Sequence, residues 1–185
     1  MARTTPVNSG YTIINGQGTG ANGNRIDVWV EYRVWTQDAV NNCTLMSAYF
    51  YAALNPAYSS TTSNYQGLNS SFSVNGVPGA GVTNGAYDFT SPEKVNLLGS
   101  FSSNIAHNAD GTKSISISGS FTTSSEWISG GNVTATVVLP AISRGLVSID
   151  TGSKIVKAIP YIDTGSGWKQ AAAYVDNGSA FKLSV

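Results

Sequence analysis

From Ile26 to Trp35 apolar and polar positions alternate. Ile26, Val28, Val30, Tyr32 and Val34 fall on one side, and Asp27, Trp29, Glu31, Arg33 and Trp35 on the other. Period two with β-branched and aromatic residues predicts a strand buried on one face. The opposite face carries charges and two tryptophans. Residues 37–42 turn the chain, and Cys43–Leu54 predict a second strand that Asn55-Pro56 breaks. Residues 57–71 are polar. The run 72–77 reads as a hairpin turning at Asn75-Gly76, a pair that accepts φ > 0 cheaply. Residues 78–92, rich in Gly, Pro and Asn, read as a long loop. Strand character resumes over 94–105, residues 107–112 turn, and 113–121 alternate strictly with Ile115, Ile117, Gly119 and Phe121 inward. A polar loop over 122–131 holds Trp127, and a last strand over 133–139 stops at Pro140. Residues 1–24 read as a flexible or turn-rich lead. No segment shows an apolar period of 3.6. The expected fold is all-β, an antiparallel β-sandwich, with helix below about 10%.

The end of the chain repeats itself. Ile149-Asp150-Thr151-Gly152-Ser153 returns as Ile162-Asp163-Thr164-Gly165-Ser166 and again as Val175-Asp176-Asn177-Gly178-Ser179, at a constant step of 13 residues. Tyr161 matches Tyr174, Trp168 matches Phe181, and Lys169 matches Lys182. The step is too short for a helix pair and suits one β-hairpin: a short apolar strand, a turn at Asp-x-Gly-Ser, and a second strand ending in an aromatic and a lysine. Three equivalent copies suit a docking surface rather than an active site. Two parts follow: a sandwich over 1–144 with its N-terminal lead, and a ribbon of hairpin repeats over 145–185. Tyr161, Trp168, Tyr174 and Phe181 are the candidate docking residues.

Composition supports this reading. Charged residues make up only 11% of the 185, with 20 glycines and many Ser, Thr and Asn in their place. These residues make poor helices and good turns. Ten basic and ten acidic side chains balance, which gives no electrostatic case for nucleic acid or a membrane surface. Only 141–185 lean positive, with Arg144, Lys154, Lys157, Lys169 and Lys182 against three aspartates. Met1 to Pro6 lack an apolar stretch, so no signal peptide is expected, and no run is long enough to span a bilayer. The expectation is synthesis in a cytoplasm.

Candidate chemistry is sparse. Cys43 is the single cysteine and sits in an apolar run, which reads as a buried thiol rather than a nucleophile. His107 is the single histidine; with one His and one Cys no zinc site forms, and its place beside Asp110-Gly111 reads as a turn. Asp150, Asp163 and Asp176 invite a calcium reading, but an Asx turn accounts for them. Gly16-Gln17-Gly18-Thr19-Gly20 lacks the lysine and the helix of a phosphate loop. No catalytic, metal or cofactor residue is assigned. Trp29, Trp35 and Trp127 are candidates for stacking on sugar rings. The alternative is that their face is covered by the N-terminal segment, a loop or a neighbouring subunit.

The stretch His107-Asn108-Ala109-Asp110-Gly111-Thr112-Lys113-Ser114-Ile115-Ser116-Ile117-Ser118 resembles a strand–turn–strand of minor structural proteins from tailed phages of Gram-positive bacteria. Leu139-Pro140-Ala141-Ile142-Ser143-Arg144 resembles the segment that follows their sandwich, with Ser143 where a proline is usual. Ile159-Pro160-Tyr161-Ile162 with Gly167-Trp168-Lys169-Gln170 resembles repeats that close many phage tail and baseplate proteins. The resemblance covers about residues 94–185. It implies a non-enzymatic virion protein of the tail or a fibre-like appendage. Such a protein acts in several copies beside other virion proteins, as a homo-oligomer, with a part in attachment to the host surface. Two alternatives stand: a carbohydrate-binding module for a host glycan, and a capsid decoration or head-fibre protein.

Overall fold

The computed structural model describes residues 3–19, 25–58, 64–125, 128–143, 147–153, 155–158, 160–171, 174–176 and 181–183. They are all-β, with no helix among them. Eleven strands build two sheets. They are β1 (Thr12–Asn15), β2 (Gln17–Thr19), β3 (Ile26–Asp38), β4 (Cys43–Leu54), β5 (Asn64–Val74), β6 (Val77–Pro78), β7 (Ala80–Gly81), β8 (Gly85–Asp88), β9 (Asn96–Ala106), β10 (Lys113–Thr122) and β11 (Gly130–Leu139). One sheet runs β1-β3-β4-β9-β7, the other β2-β11-β10-β5-β6, with β8 beside β5. By compactness the chain forms two units. The first is Met1–Trp35, Leu45–Asn104 and Ser114–Val138; the second is Thr36–Thr44, Ile105–Lys113 and Leu139–Val185.

In the first unit the inner faces of the sheets interlock through aromatic rings. Phe50 of β4 stacks on Phe72 of β5 at 5.9 Å and meets Phe121 of β10 at 6.4 Å. The same ring fills the space above Gly119, where a Cβ would come within 3.0 Å of it. This is why a glycine interrupts the apolar series of β10: the bulk at that position comes from the opposite sheet.

Two segments cross from sheet to sheet at a glycine. β1 pairs with β3, and one residue later β2 pairs with β11. Between them, a Cβ on Gly16 would lie 2.2 Å from the Asn132 carbonyl oxygen. Likewise β6 pairs with β5 and β7 with β9, and a Cβ on Gly79 would lie 2.5 Å from the Ser100 oxygen. These crossings place short strands on both flanks of the sandwich, where long bare edges would otherwise invite pairing with other chains.

The lead expected over 1–24 therefore contains two strands. At four and three residues they are too short to show a period, and their place comes from the neighbours they pair with. β5 also begins earlier than the run at 72. Its inward positions are Leu68, Ser70, Phe72 and Val74, and Ser70 hides the alternation. The Ser70 hydroxyl donates to the Leu98 carbonyl and accepts the Val82 N–H at 2.8 Å, so a polar residue satisfies an inward position. Parts of 78–92 are β6, β7 and β8 rather than loop. The hairpin at Asn75-Gly76 is present, with Val74 opposite Val77 and φ of 53° and 76°.

The second unit holds three hairpins: β12 (Val147–Asp150) with β13 (Ile155–Ala158), β14 (Tyr161–Asp163) with β15 (Trp168–Gln170), and β16 (Tyr174–Asp176) with β17 (Phe181–Leu183). Their register is identical: Asp150 faces Ile155, Asp163 faces Trp168, and Asp176 faces Phe181. The aromatic opens the second strand instead of ending it, because the turn is short and places it directly across from the aspartate. Each hairpin is a two-stranded sheet of its own, and no ladder joins one to the next among the described residues.

Candidate interaction surfaces

The polar face of β3 bears Trp29, Glu31, Arg33 and Trp35, and the same face of β4 bears Ser47, Tyr49 and Tyr51. Their rings form a continuous row. Trp29 stacks on Tyr51 at 5.5 Å, Tyr51 neighbours Tyr49 at 6.2 Å, Tyr49 meets Tyr11 at 5.7 Å, and Tyr11 meets Trp35 edge-on at 6.2 Å. A guanidinium caps each end: Arg3 lies 4.7 Å from the Trp29 ring centre and Arg33 4.0 Å from that of Trp35.

The two ends differ in exposure. Trp29 is 0% exposed, which removes it as a surface platform for a glycan. Trp29 clusters with Tyr51 and Ala53. Ile13, Tyr49 and Val95 pack against that cluster, and Arg3 of the N-terminal segment lies over the ring. Glu31 holds that segment down. The carboxylate of Glu31 accepts the Val7 N–H at 2.6 Å and the Asn8 N–H at 3.0 Å. It also accepts Asn8 Nδ2 at 3.0 Å and the Trp29 indole N–H at 2.9 Å. Asn8 Nδ2 also donates to the Tyr51 hydroxyl at 2.9 Å. A buried carboxylate is costly unless it is hydrogen-bonded; here four donors surround it. Burial pushes the Tyr51 phenol above its ordinary pKa, and the Glu31 charge adds to that rise.

Trp35, at the other end, is 46% exposed. Its indole N–H donates to Ser47 Oγ at 3.0 Å, and Ser47 Oγ lies 3.1 Å from Ser102 Oγ. Burial raises the pKa of the Tyr11 phenol, and Tyr49 reinforces the effect. Aromatic rings, phenols and serine hydroxyls thus share one sheet face around a half-exposed indole. Trp127 lies outside the described residues. Trp29 and Trp35 on the polar face of β3 were the visible part of the row; its continuity was not, because Tyr11 comes from the lead.

The hairpin Tyr161–Gln170 presents a second surface. Tyr161 is 57% and Trp168 72% exposed, and Ile162 is exposed on the other face of the ladder. The turn is held by Asp163, whose Oδ1 accepts the Gly165 N–H at 2.8 Å, an Asx turn closed by Gly165 at φ 76°. This is the turn role expected for Asp163; the side chains of Asp150 and Asp176 lie outside the described residues. Tyr174 and Phe181 occupy the positions of Tyr161 and Trp168 in the next hairpin by register.

His107 is a buried brace. Its Nδ1 lies 2.7 Å from the Gly111 carbonyl and its Nε2 2.7 Å from the Thr44 hydroxyl. The ring ties β4 to the turn at Asp110-Gly111, and both of its nitrogens are engaged. Cys43 is a free thiol and half-buried rather than fully enclosed. Among the described residues no group of three His, Cys, Asp or Glu side chains is placed to hold a metal ion. No protein-family model, no curated protein and no solved structure matches this chain.

Proposed function

We propose that the chain is a structural protein of a tailed-phage virion, part of the tail or a fibre-like appendage, that works by assembling in several copies. The observation that carries this reading is the exposed hairpin Tyr161–Gln170. Isolated two-stranded hairpins are marginal in water, yet this one offers Tyr161, Ile162 and Trp168 to solvent. Its neighbours repeat it in the same register. A module of this kind gains its stability from a docking partner, either another copy or another virion protein. The resemblance of 94–185 to minor structural proteins of phages of Gram-positive bacteria supports the same reading. His107, with both ring nitrogens engaged, supports a non-enzymatic role. Reconstruction of purified particles tests the proposal. Density for this chain at the tail, with 145–185 against a neighbour, is the expected result. Density on the capsid would favour the decoration reading, and absence from the particle would overturn both.

A second reading has its own observation: Trp35, half-exposed among Tyr11, Tyr49, Ser47 and Ser102. Ring faces stack on the C–H face of sugars while hydroxyls take up their polar rim. This favours a host cell-surface glycan as a further partner. A glycan array probed with the native chain and with Trp35→Ala decides it, since loss of a binding signal in the variant is expected and the absence of any signal from the native chain sinks it.

A further inference from the structure

We propose that residues 3–9 form a releasable strap over the five-stranded sheet, with Glu31 as its catch, and that lifting the strap uncovers Glu31 and the sides of Trp29 and Tyr51 that Arg3 and Asn8 cover. The strap belongs to no ladder; β1 begins only at Thr12. Among the described residues its backbone makes one turn contact, Tyr11 N–H to the Asn8 carbonyl at 3.3 Å. Apolar burial does not hold it either: its one aliphatic side chain beyond Pro6, Val7, is 47% exposed, and Tyr11, whose ring packs on Tyr49 and Trp35, lies beyond Gly10. The attachments are polar and converge. Three of the four donors around Glu31 come from Val7 and Asn8, and Asn8 adds the bond to Tyr51. A second tie, at the far end, is the reciprocal pair between Arg3 and Asn15 at 2.9 and 3.1 Å, which is exposed. Gly10, at φ 80°, stands between the catch and β1 and gives the backbone a pivot that a side chain would restrict.

Polar attachments exchange against water at small net cost, whereas uncovering a large aromatic surface is unfavourable. The closed state therefore dominates, and opening is local: it breaks the catch without separating β3 from β4. A regional opening of this kind is distinguishable from global unfolding by amide exchange.

The test is hydrogen exchange on the full chain. In the native protein the Val7 and Asn8 amides should be protected, yet exchange through an opening that low denaturant barely accelerates, while the Phe50 amide responds as global unfolding does. Glu31→Gln places amide hydrogens where the strap's donors need acceptors, and Asn8→Ala removes strap donors without altering the sheet. Each should lower protection at residues 7 and 8 by about tenfold or more while Phe50 stays within about threefold. If residues 7 and 8 share the denaturant response of Phe50 in the native chain, the strap is an integral part of the fold and the proposal fails. It fails equally if both variants leave protection at 7 and 8 unchanged.

Discussion

Glu31 and Trp29, two residues apart on β3, share a sheet face, and the carboxylate accepts the indole N–H at 2.9 Å. That bond belongs to a covered surface, not to an open one. Trp29→Ala should therefore behave as a core truncation and cost about 3–5 kcal/mol in urea unfolding. Trp35→Ala removes a half-exposed ring packed on Arg33 and Tyr11 and should cost only about 1 kcal/mol. Equal losses at the two positions would contradict the difference in burial.

Gly16 and Gly79 mark the points where edge segments change sheets. A methyl group at either would press on a backbone oxygen, of Asn132 or of Ser100, at 2.2 or 2.5 Å. Those oxygens sit on strand backbones and cannot swing away. Gly16→Ala and Gly79→Ala should each destabilise the sandwich by about 1–3 kcal/mol. Gly76→Ala, where nothing lies within 4 Å, meets no such wall and should lose only what its positive φ demands, about 1 kcal/mol. Chemical denaturation of the three variants ranks them.

The long strands were legible because their residues alternate over many positions, as in β3 and β10. The Asn75-Gly76 turn and the Asp163 turn were legible because each is specified by local backbone chemistry. What escaped was decided by partners distant in sequence. β1 and β2 have no period of their own; they exist because β3 and β11 offer edges. Ser70 looked like loop because its hydroxyl is satisfied by Leu98 and Val82, which no local pattern reveals. Trp29 read either as a platform for a sugar or as a covered ring, because alternation gives only its face; Ile13, Tyr51 and Val95, which pack around it, and Arg3, which lies over it, are distant in sequence. The face of each side chain was readable, whereas cover by the N-terminal segment stood as one alternative beside a loop or a neighbouring subunit.

Three turn aspartates set an acid limit on stability. Asp110 accepts the Thr112 hydroxyl and N–H, Asp88 those of Thr90, and Asp38 the Asn41 N–H and side-chain amide with the Val40 N–H. In each case these hydrogen bonds hold the carboxyl below its ordinary value of 3.8. Folded pKa values lie below unfolded ones, so the unfolded chain binds more protons in between. The stabilisation is full above the unfolded value and is lost as pH falls through the folded ones. Urea midpoints should therefore drop on acidification below about pH 4. Replacing Asp38, Asp88 and Asp110 together with alanine should flatten that drop, and an unchanged acid limb would show that other carboxylates govern it.

The hairpin Tyr161–Gln170 separates assembly from folding. Trp168 stands across from Asp163 and beside Tyr161 on one face of a ladder, and both rings are exposed. Replacing an exposed side chain of this kind changes stability little, within about 0.5 kcal/mol. The same side chain at the centre of a docking contact is worth far more, since aromatic anchors typically cost about 2 kcal/mol or more when truncated. Trp168→Ala and Tyr161→Ala should thus leave the unfolding transition of the isolated chain in place and deplete the protein from purified particles, by tens of fold for a single contact and more when several copies bind together. Mass spectrometry of particles grown with each variant measures this directly. Incorporation equal to that of the native chain would remove this hairpin from the docking surface and leave the neighbouring hairpins, with Tyr174 and Phe181, to carry the contact.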